Sequence, residues 1–321
     1  MKVALCFIIS YDHSLNKEEI WRKWIEPNKD IINVYFYYKE LNKIKSTWIL
    51  NNLVDTSYIR ETSYYHVIPA YLSVMSYAFK RDSENQWFCI LTESCCPIIS
   101  PERFRNLFYT HYSYSIFNWR KIWWNVQLQK RANLDLLPEN LRLANDPYFI
   151  LKREDVRLCF QFTHTNSKLF KTICDGGLAN ESLFAIILSI CKKIHISSDS
   201  SCYYLKKYAT HLTDWSRMTS PTSPYLFKDG SVKDKKFIED GLKENQFAIF
   251  IRKIAPEFPD VILNDFIYNK TKEERIRFHP FFWRKLFILC FYFIGGCSFI
   301  SIGILTILFF GSLVKKIPYL S

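Results

Sequence analysis

Few residues in this chain are spaced for chemistry that can be named at sight. Arg252 and Lys253 follow directly on the apolar run Phe247-Ala248-Ile249-Phe250-Ile251. A cationic pair at the end of a short strand lies where α/β sheets bind anionic ligands, beyond the carboxyl ends of their strands. The plainer alternative is a solvated strand end. No glycine-rich phosphate loop is present: of eight glycines, Gly295, Gly296, Gly303 and Gly311 fall in one C-terminal apolar run, and neither a P-loop nor G-x-G-x-x-G occurs. The serine-hydrolase elbow G-x-S-x-G is also missing. So is the Asp-x-Asp pair that many transferases use to hold a divalent metal. Its nearest counterpart, Asp82-Ser83-Glu84, precedes its strand and reads as a solvated turn. No metal site is therefore expected, and a nucleotide diphosphate would have to be met by cationic side chains. Ten cysteines include the neighbours Cys95 and Cys96 but no C-x-x-C and no zinc spacing. Cys6, Cys89 and Cys290 sit inside apolar runs and read as buried free thiols, which favours a reducing compartment.

The elements that must position these residues alternate. Residues 3–10 read as a buried strand, 17–24 as a helix, 31–38 as a strand, 66–81 as a helix and 87–91 as a short apolar strand. Residues 101–111 form a helix with Ser100 as cap and Pro101 at its first position. Further on, 148–151 is a strand candidate, 153–160 a helix, 180–191 a helix capped by Asn180, 213–236 loop-like, and 247–251 a last strand. This β-α-β-α-β order predicts an α/β fold with a largely parallel sheet.

Residues 286–314, LFILCFYFIGGCSFISIGILTILFFGSLV, carry no charge. About 20 apolar residues suffice to cross a bilayer core, and Trp283 and Tyr319 flank the run as interfacial aromatics do. The expected organisation is a globular domain over 1–260, a juxtamembrane linker over 261–285, a transmembrane helix over 286–314 and a tail over 315–321. The first apolar run is too short for a secretory signal. Arg275, Arg277, Arg284 and Lys285 before the span, against Lys315 and Lys316 after it, favour a cytosolic domain. The sequons at Asn180 and Asn269 argue the other way, but such triplets are common by chance. A net charge of +12 admits nucleic acid, anionic lipid or an anionic small molecule as partner. The lysines are scattered rather than interleaved with stacking aromatics, so no nucleic-acid partner is expected.

Five segments in order resemble one family. Trp87 to Ser100, with Thr92-Glu93-Ser94-Cys95-Cys96-Pro97-Ile98, resembles the apolar strand and Ser-Glu-Ser-Cys-x-Pro turn of the core-2/I-branching β-1,6-N-acetylglucosaminyltransferases and their plant relatives. Tyr148 to Val156 resembles their strand-to-helix segment. Asn180-Glu181-Ser182-Leu183-Phe184 falls at their Asp-Glu-His. Asp214-Trp215-Ser216-Arg217 is similar to the plant Asp-Trp-Ser, and Phe250 to Pro256 to their Phe-Ala-Arg-Lys-Phe segment.

The resemblance implies a GT-A-like fold and an inverting, metal-independent transfer of a sugar from a nucleotide-sugar, a UDP-sugar by preference, to a hydroxyl of a glycan, protein or lipid-linked acceptor. It requires no separate cofactor. Glu181 falls on the catalytic base, since a carboxylate must take the proton of the attacking hydroxyl. At a helix start, the dipole would keep Glu181 ionised. Lys253, with Arg252 beside it, falls on the second member of a basic pair that meets the leaving diphosphate. Its first member falls on Arg217, Lys228 or Lys233, which alignment leaves open. Glu93, Ser94 and His66 join the donor-binding candidates, His66 having a structural cap as its alternative. Trp119, Arg120, Lys121, Trp123 and Trp124 are acceptor-binding candidates, because tryptophans stack on sugar faces and basic groups bond hydroxyls. They could equally pack a core. Asn180 and Ser182 depart from the family's Asp and His, so the alternative is a catalytically decayed, membrane-anchored binding or scaffold protein on the same fold.

Overall fold

Strand β1 (Lys2–Ile8) is buried at every residue after its first, so it needs cover on both faces. In the computed structural model, which describes residues 1–194, 209–220 and 223–269, it is a central strand. It pairs in parallel with β2 (Ile32–Tyr37) on one side and β3 (Asn85–Thr92) on the other. Helix α1 (Glu18–Ile25) buries Ile20, Trp21, Trp24 and Ile25, one helical stripe, against the face that carries Phe7. The Trp21 and Phe7 rings meet edge to face at 4.9 Å. Each indole N–H finds a carbonyl, Trp21 on Cys95 at 3.0 Å and Trp24 on Ile99 at 2.8 Å, as buried tryptophans require. After the short helix α2 (Thr47–Leu50), α3 (Ile68–Arg81) covers the other face with Val74, Met75 and Ala78.

The expected largely parallel sheet is in fact mixed. Beyond β3 comes a two-residue strand β4 (Cys96–Pro97), and then α4 (Pro101–His111), whose Ser100 hydroxyl accepts from the Arg103 N–H at 3.1 Å as the cap expected from sequence. The chain then throws out a ribbon of β5 (Trp119–Lys121) and β6 (Leu143–Asn145) before β7 (Ile150–Lys152) comes back antiparallel to β3. A parallel partner would need a full crossover. Here the crossover ends in a single bridge, Ile116 to Ile150, and the ribbon re-enters from the carboxyl end of β3. The sheet order is β2-β1-β3-β7.

Helices α5 (Arg153–Thr165), α6 (Ser167–Asp175) and α7 (Leu183–Ile190) follow. A second sheet, β4-β9-β8, joins β8 (His211–Thr213) in parallel and β4 in antiparallel to β9 (Phe250–Arg252). Two helices overlap the stretches 213–236 and 261–285 that the sequence reads as loop and linker. α8 (Val232–Glu244) starts on a capping box between Ser231 and Asp234. α9 (Asp260–Tyr268) buries Ile262, Leu263 and Ile267 in the same compact unit. The Lys17 ammonium, itself buried, ties α9 down through the carbonyls of Pro256 and Phe258 and through Asp260 Oδ1 at 2.7 Å.

Among the described residues, no helix is long and apolar enough to cross a membrane. The expected span, 286–314, lies outside them. The described cysteines are free thiols, with Cys6, Cys89, Cys95, Cys96 and Cys159 buried.

Candidate active site

Three loops meet beyond the carboxyl ends of β1 and β3. The Asn16 N–H donates to the Glu93 carbonyl at 3.0 Å, and its side chain to the Ile254 carbonyl at 2.7 Å. The Ile254 N–H donates to the Ser94 carbonyl at 2.8 Å. The turn after β3 and the segment after β9 are thus stitched together, which brings Glu93 and Ser94 to Arg252 and Lys253. The cluster lies beyond the carboxyl ends of β1 and β3, the end of the sheet at which α/β folds place their ligands.

Arg252 is only 8% exposed. Its guanidinium lies over the Tyr148 ring, 4.0 Å from the centroid. Beside it His211 is buried between Tyr148 and Phe250, and its Nδ1 meets the Thr210 hydroxyl at 2.9 Å. Burial, with the Arg252 charge adding, holds its imidazole neutral well below the usual histidine range. Burial pushes the Tyr148 hydroxyl up to about 12 despite Arg252. Lys253 donates to the Ser223 hydroxyl at 3.0 Å. Burial and then the neighbouring Arg252 lower its pKa, with Glu93 opposing. Burial, and more weakly Asp12, raise the pKa of Glu93 against the pull of Arg252 and Lys253. Two cations and a reluctant carboxylate therefore share one partly dehydrated cluster, an environment suited to a polyanion.

Glu181 lies within Coulombic reach of this group. It ends a 3-10 turn, Ala179–Glu181, that opens on the left-handed residue Leu178 (φ 60°) and precedes α7. Asn180 is therefore not the helix cap expected from sequence: it lies inside that turn, and α7 begins at Leu183 without a side-chain cap. The buried Asn145 side chain holds the turn instead. It donates to the Asn180 carbonyl at 2.8 Å and accepts from the Ala185 N–H at 3.1 Å. Arg131 Nη1 donates to Glu181 Oε2 at 3.0 Å. Burial nevertheless wins: the carboxyl pKa is raised, Arg131 and Arg252 opposing and Asp146 adding to the rise. The influence expected from a helix dipole is outweighed here, because the turn is separate from the helix and desolvation is the largest effect on the carboxyl.

The remaining candidates divide. Arg217 does not reach the cluster as a free cation. It donates to Asp214 Oδ2 at 2.6 Å and Asp234 Oδ1 at 2.8 Å, both carboxylates being buried, and stacks on Tyr225 at 3.9 Å. Asp214 also takes the Ser216 N–H and hydroxyl, so Asp214-Trp215-Ser216-Arg217 is a folded structural knot. Lys228 faces Glu257 at 3.9 Å on the surface, and Lys233 is exposed on α8. His66 contacts the Cys174 carbonyl at 3.3 Å, a loop-to-loop tie.

Of the aromatic ribbon, Trp119 is buried on β5, Lys121 is exposed, and the Arg120 guanidinium lies 3.3 Å from the centroid of the exposed Trp123 ring. Trp124 stands beside Arg131 at 5.3 Å and so next to Glu181. Sequence reasoning missed Arg131, Asn145, Asp146, Tyr148 and His211 as site residues. Each is a lone residue with no spacing to mark it, Asn145 and His211 on strands too short to show a pattern; only Tyr148 lies in a segment that carries the resemblance.

A carboxylate and two neighbouring cations at the carboxyl ends of the strands lie where α/β proteins place their ligands. Residues 32–239, more than half of the chain, match the core-2/I-branching enzyme family. The chain belongs to that family and is a glycosyltransferase, with a sugar donor and an acceptor as its substrates. No curated protein matches the chain. The matched range contains Glu93, Arg131, Tyr148 and Glu181 but stops short of β9, so Arg252 and Lys253 enter the site through sheet pairing rather than through the match.

Proposed function

We propose that this domain is a GT-A-like, inverting, metal-independent transferase of a nucleotide-sugar, with Glu181 as catalytic base and Arg252 and Lys253 as the diphosphate-binding pair. The observation that carries the reading is the half-buried carboxylate of Glu181, held by Arg131 at 3.0 Å, together with the backbone stitching that brings Arg252 and Lys253 to Glu93 and Ser94. In the proposed step, the acceptor oxygen bonds to the anomeric carbon as the bond from that carbon to the diphosphate oxygen breaks. The hydroxyl proton goes to Glu181, and the bonding pair leaves with the diphosphate toward the two cations. A carboxylate whose pKa is raised is a better base than a solvated one, and dehydrated cations stabilise developing charge more strongly than exposed ones.

Glu93 and Ser94 are the donor contacts nearest this pair, and Trp124, Arg120 and Lys121 supply the acceptor side. Trp119 backs the ribbon from within. Arg217, Lys228 and His66, tied elsewhere, support the site from a distance in this reading. The C-terminal run 286–314 remains proposed as a membrane anchor with the domain on the cytosolic side. Protease protection of the full chain in sealed microsomes tests both points.

Thermal shift of the full-length protein against a panel of UDP-sugars, with and without chelator, tests the donor class. A chelator-insensitive shift with one UDP-sugar, accompanied by transfer that Glu181→Gln abolishes, is expected; undiminished transfer by Glu181→Gln would remove Glu181 from its role. The second reading, a decayed binding protein, is favoured by the Asn180 and Ser182 departures. It predicts neither a UDP-sugar shift nor turnover.

A further inference from the structure

Arg131 and Glu181 lie 50 positions apart in sequence yet share a 3.0 Å ion pair. The contact rests on two unusual pieces of backbone. Arg131 opens the stretch Arg131–Leu136, in which Ala132 (φ 52°) and Asn133 (φ 49°) are left-handed. Residues with a Cβ enter that region at a cost of about 1–2 kcal/mol each, so other contacts must hold them there. The Ala132 N–H donates to the Gly177 carbonyl at 2.8 Å, and the Asn133 side chain donates to the Thr172 carbonyl at 2.8 Å. A Cβ on Gly176 would stand 2.6 Å from the Ala132 carbonyl carbon, so the kink sits directly on the glycine pair. From there Leu178, itself left-handed and donating to the Tyr65 carbonyl at 2.8 Å, turns the chain into the segment that ends at Glu181. The guanidinium and the carboxylate are thus presented to each other by two loops locked at one seam. The Trp124 ring beside Arg131 limits where the guanidinium can go.

We propose that Arg131 is the positioning residue for Glu181: its guanidinium takes Oε2 and leaves Oε1, which has no hydrogen-bond partner among the described residues, as the oxygen that faces the acceptor hydroxyl. This rests on the reading of Glu181 as base. The same contact favours the ionised carboxylate. The charged and titratable groups that face Glu181 are Arg131, Arg252, Asp146 and Tyr148. Burial and Asp146 oppose ionisation, and Arg131 is the cation that hydrogen-bonds the carboxylate directly. Without it, the base would ionise at higher pH and would rotate freely.

The test uses full-length protein labelled with carboxyl-13C glutamate. The Glu181 resonance is identified by its loss in Glu181→Gln and titrated in wild type, Arg131→Ala and Arg131→Lys. The midpoint is expected to move to higher pH in Arg131→Ala and to fall between the two in Arg131→Lys. The acid limb of kcat/KM should move with it, each unit of displacement lowering the ionised fraction about tenfold on the acid side. A purely structural role would lower the thermal midpoint without moving the titration. An unchanged Glu181 midpoint in folded Arg131→Ala would overturn the proposal while leaving Glu181 as base. Full transfer by Glu181→Gln would instead refute the base itself, and the positioning role with it. Arg131→Lys, which keeps the charge, supplies the titration if the alanine variant does not fold.

Discussion

The Arg252 guanidinium lies over the Tyr148 ring, 4.0 Å from its centroid, and joins the end of β9 to the segment that leads into β7. Arg252 ends a strand of the second sheet, and Tyr148 precedes a strand of the first. The ring supplies a face on which a buried cation can rest without being neutralised, so its charge stays available to a ligand.

Tyr148→Ala should therefore weaken donor binding by roughly fivefold to thirtyfold, the equivalent of about 1–2 kcal/mol of cation–π support. Tyr148→Phe keeps the ring face and should bind as wild type does. Titration with the UDP-sugar that shifts the thermal midpoint measures both.

Glu181→Gln should lower transfer by about 10²–10⁴-fold, the usual range for a lost general base, with little change in thermal midpoint. The sign follows from the raised pKa. A carboxyl whose folded pKa lies above its unfolded value favours the fold most at low pH, and that contribution is lost as pH rises through the folded value. Glutamine, always neutral, avoids that loss. The wild-type acid limb of kcat/KM should accordingly lie above the ordinary glutamate range.

Arg217→Ala should destabilise the domain by about 3 kcal/mol, the lower end of the range for a broken buried pair, because the guanidinium is partly exposed while Asp214 and Asp234 are not. A fall in the thermal midpoint with unchanged KM for donor is expected from differential scanning and kinetics. A KM rise without destabilisation would restore Arg217 to the diphosphate.

Gly176→Ala should cost about 1–3 kcal/mol by overpacking, since the new methyl would meet backbone of Ala132 rather than a flexible side chain. The thermal midpoint reads it.

Acid should unfold the domain through particular carboxylates. Burial would raise the pKa of Asp82, but hydrogen bonds from Lys2, the Glu84 N–H and Asn33 outweigh it and hold the carboxyl at about 2. Burial would also raise Asp214, but the Ser216 hydroxyl and Arg217 bring it below the usual range. Depressed carboxylates stabilise the fold above their unfolded pKa and lose that contribution as pH falls through the folded value. Stability should thus decline from about pH 4 downward, and Asp82→Asn should flatten that decline in a urea-midpoint series.

Much of the first half of the fold is legible in sequence because it rests on local rules. Strands β1 to β3 are continuous apolar runs, α1 and α3 carry a helical stripe, and α4 announces itself by Ser100 and Pro101. The second half was read less well. Helix α8 begins with a capping box whose acid is Asp234 rather than the commoner glutamate, and α9 is short and follows a proline. Both are stabilised by burial against distant parts of the chain, which no local window senses.

By itself, then, the sequence determined the alternating strand and helix order of the first 111 residues, because that depends on residue type and local spacing, and the order of its short motifs pointed to the family. The lack of a glycine phosphate loop was settled there too. Tertiary structure alone decided that β7 runs antiparallel, that Arg217 is spent on Asp214 and Asp234, that Tyr148 and His211 flank Arg252, and that Arg131 answers Glu181. It also decided that burial, and not a helix dipole, is the largest influence on the Glu181 carboxyl. Charge partnership and desolvation depend on distance and on excluded water, and both arise only when segments far apart in sequence are folded against one another.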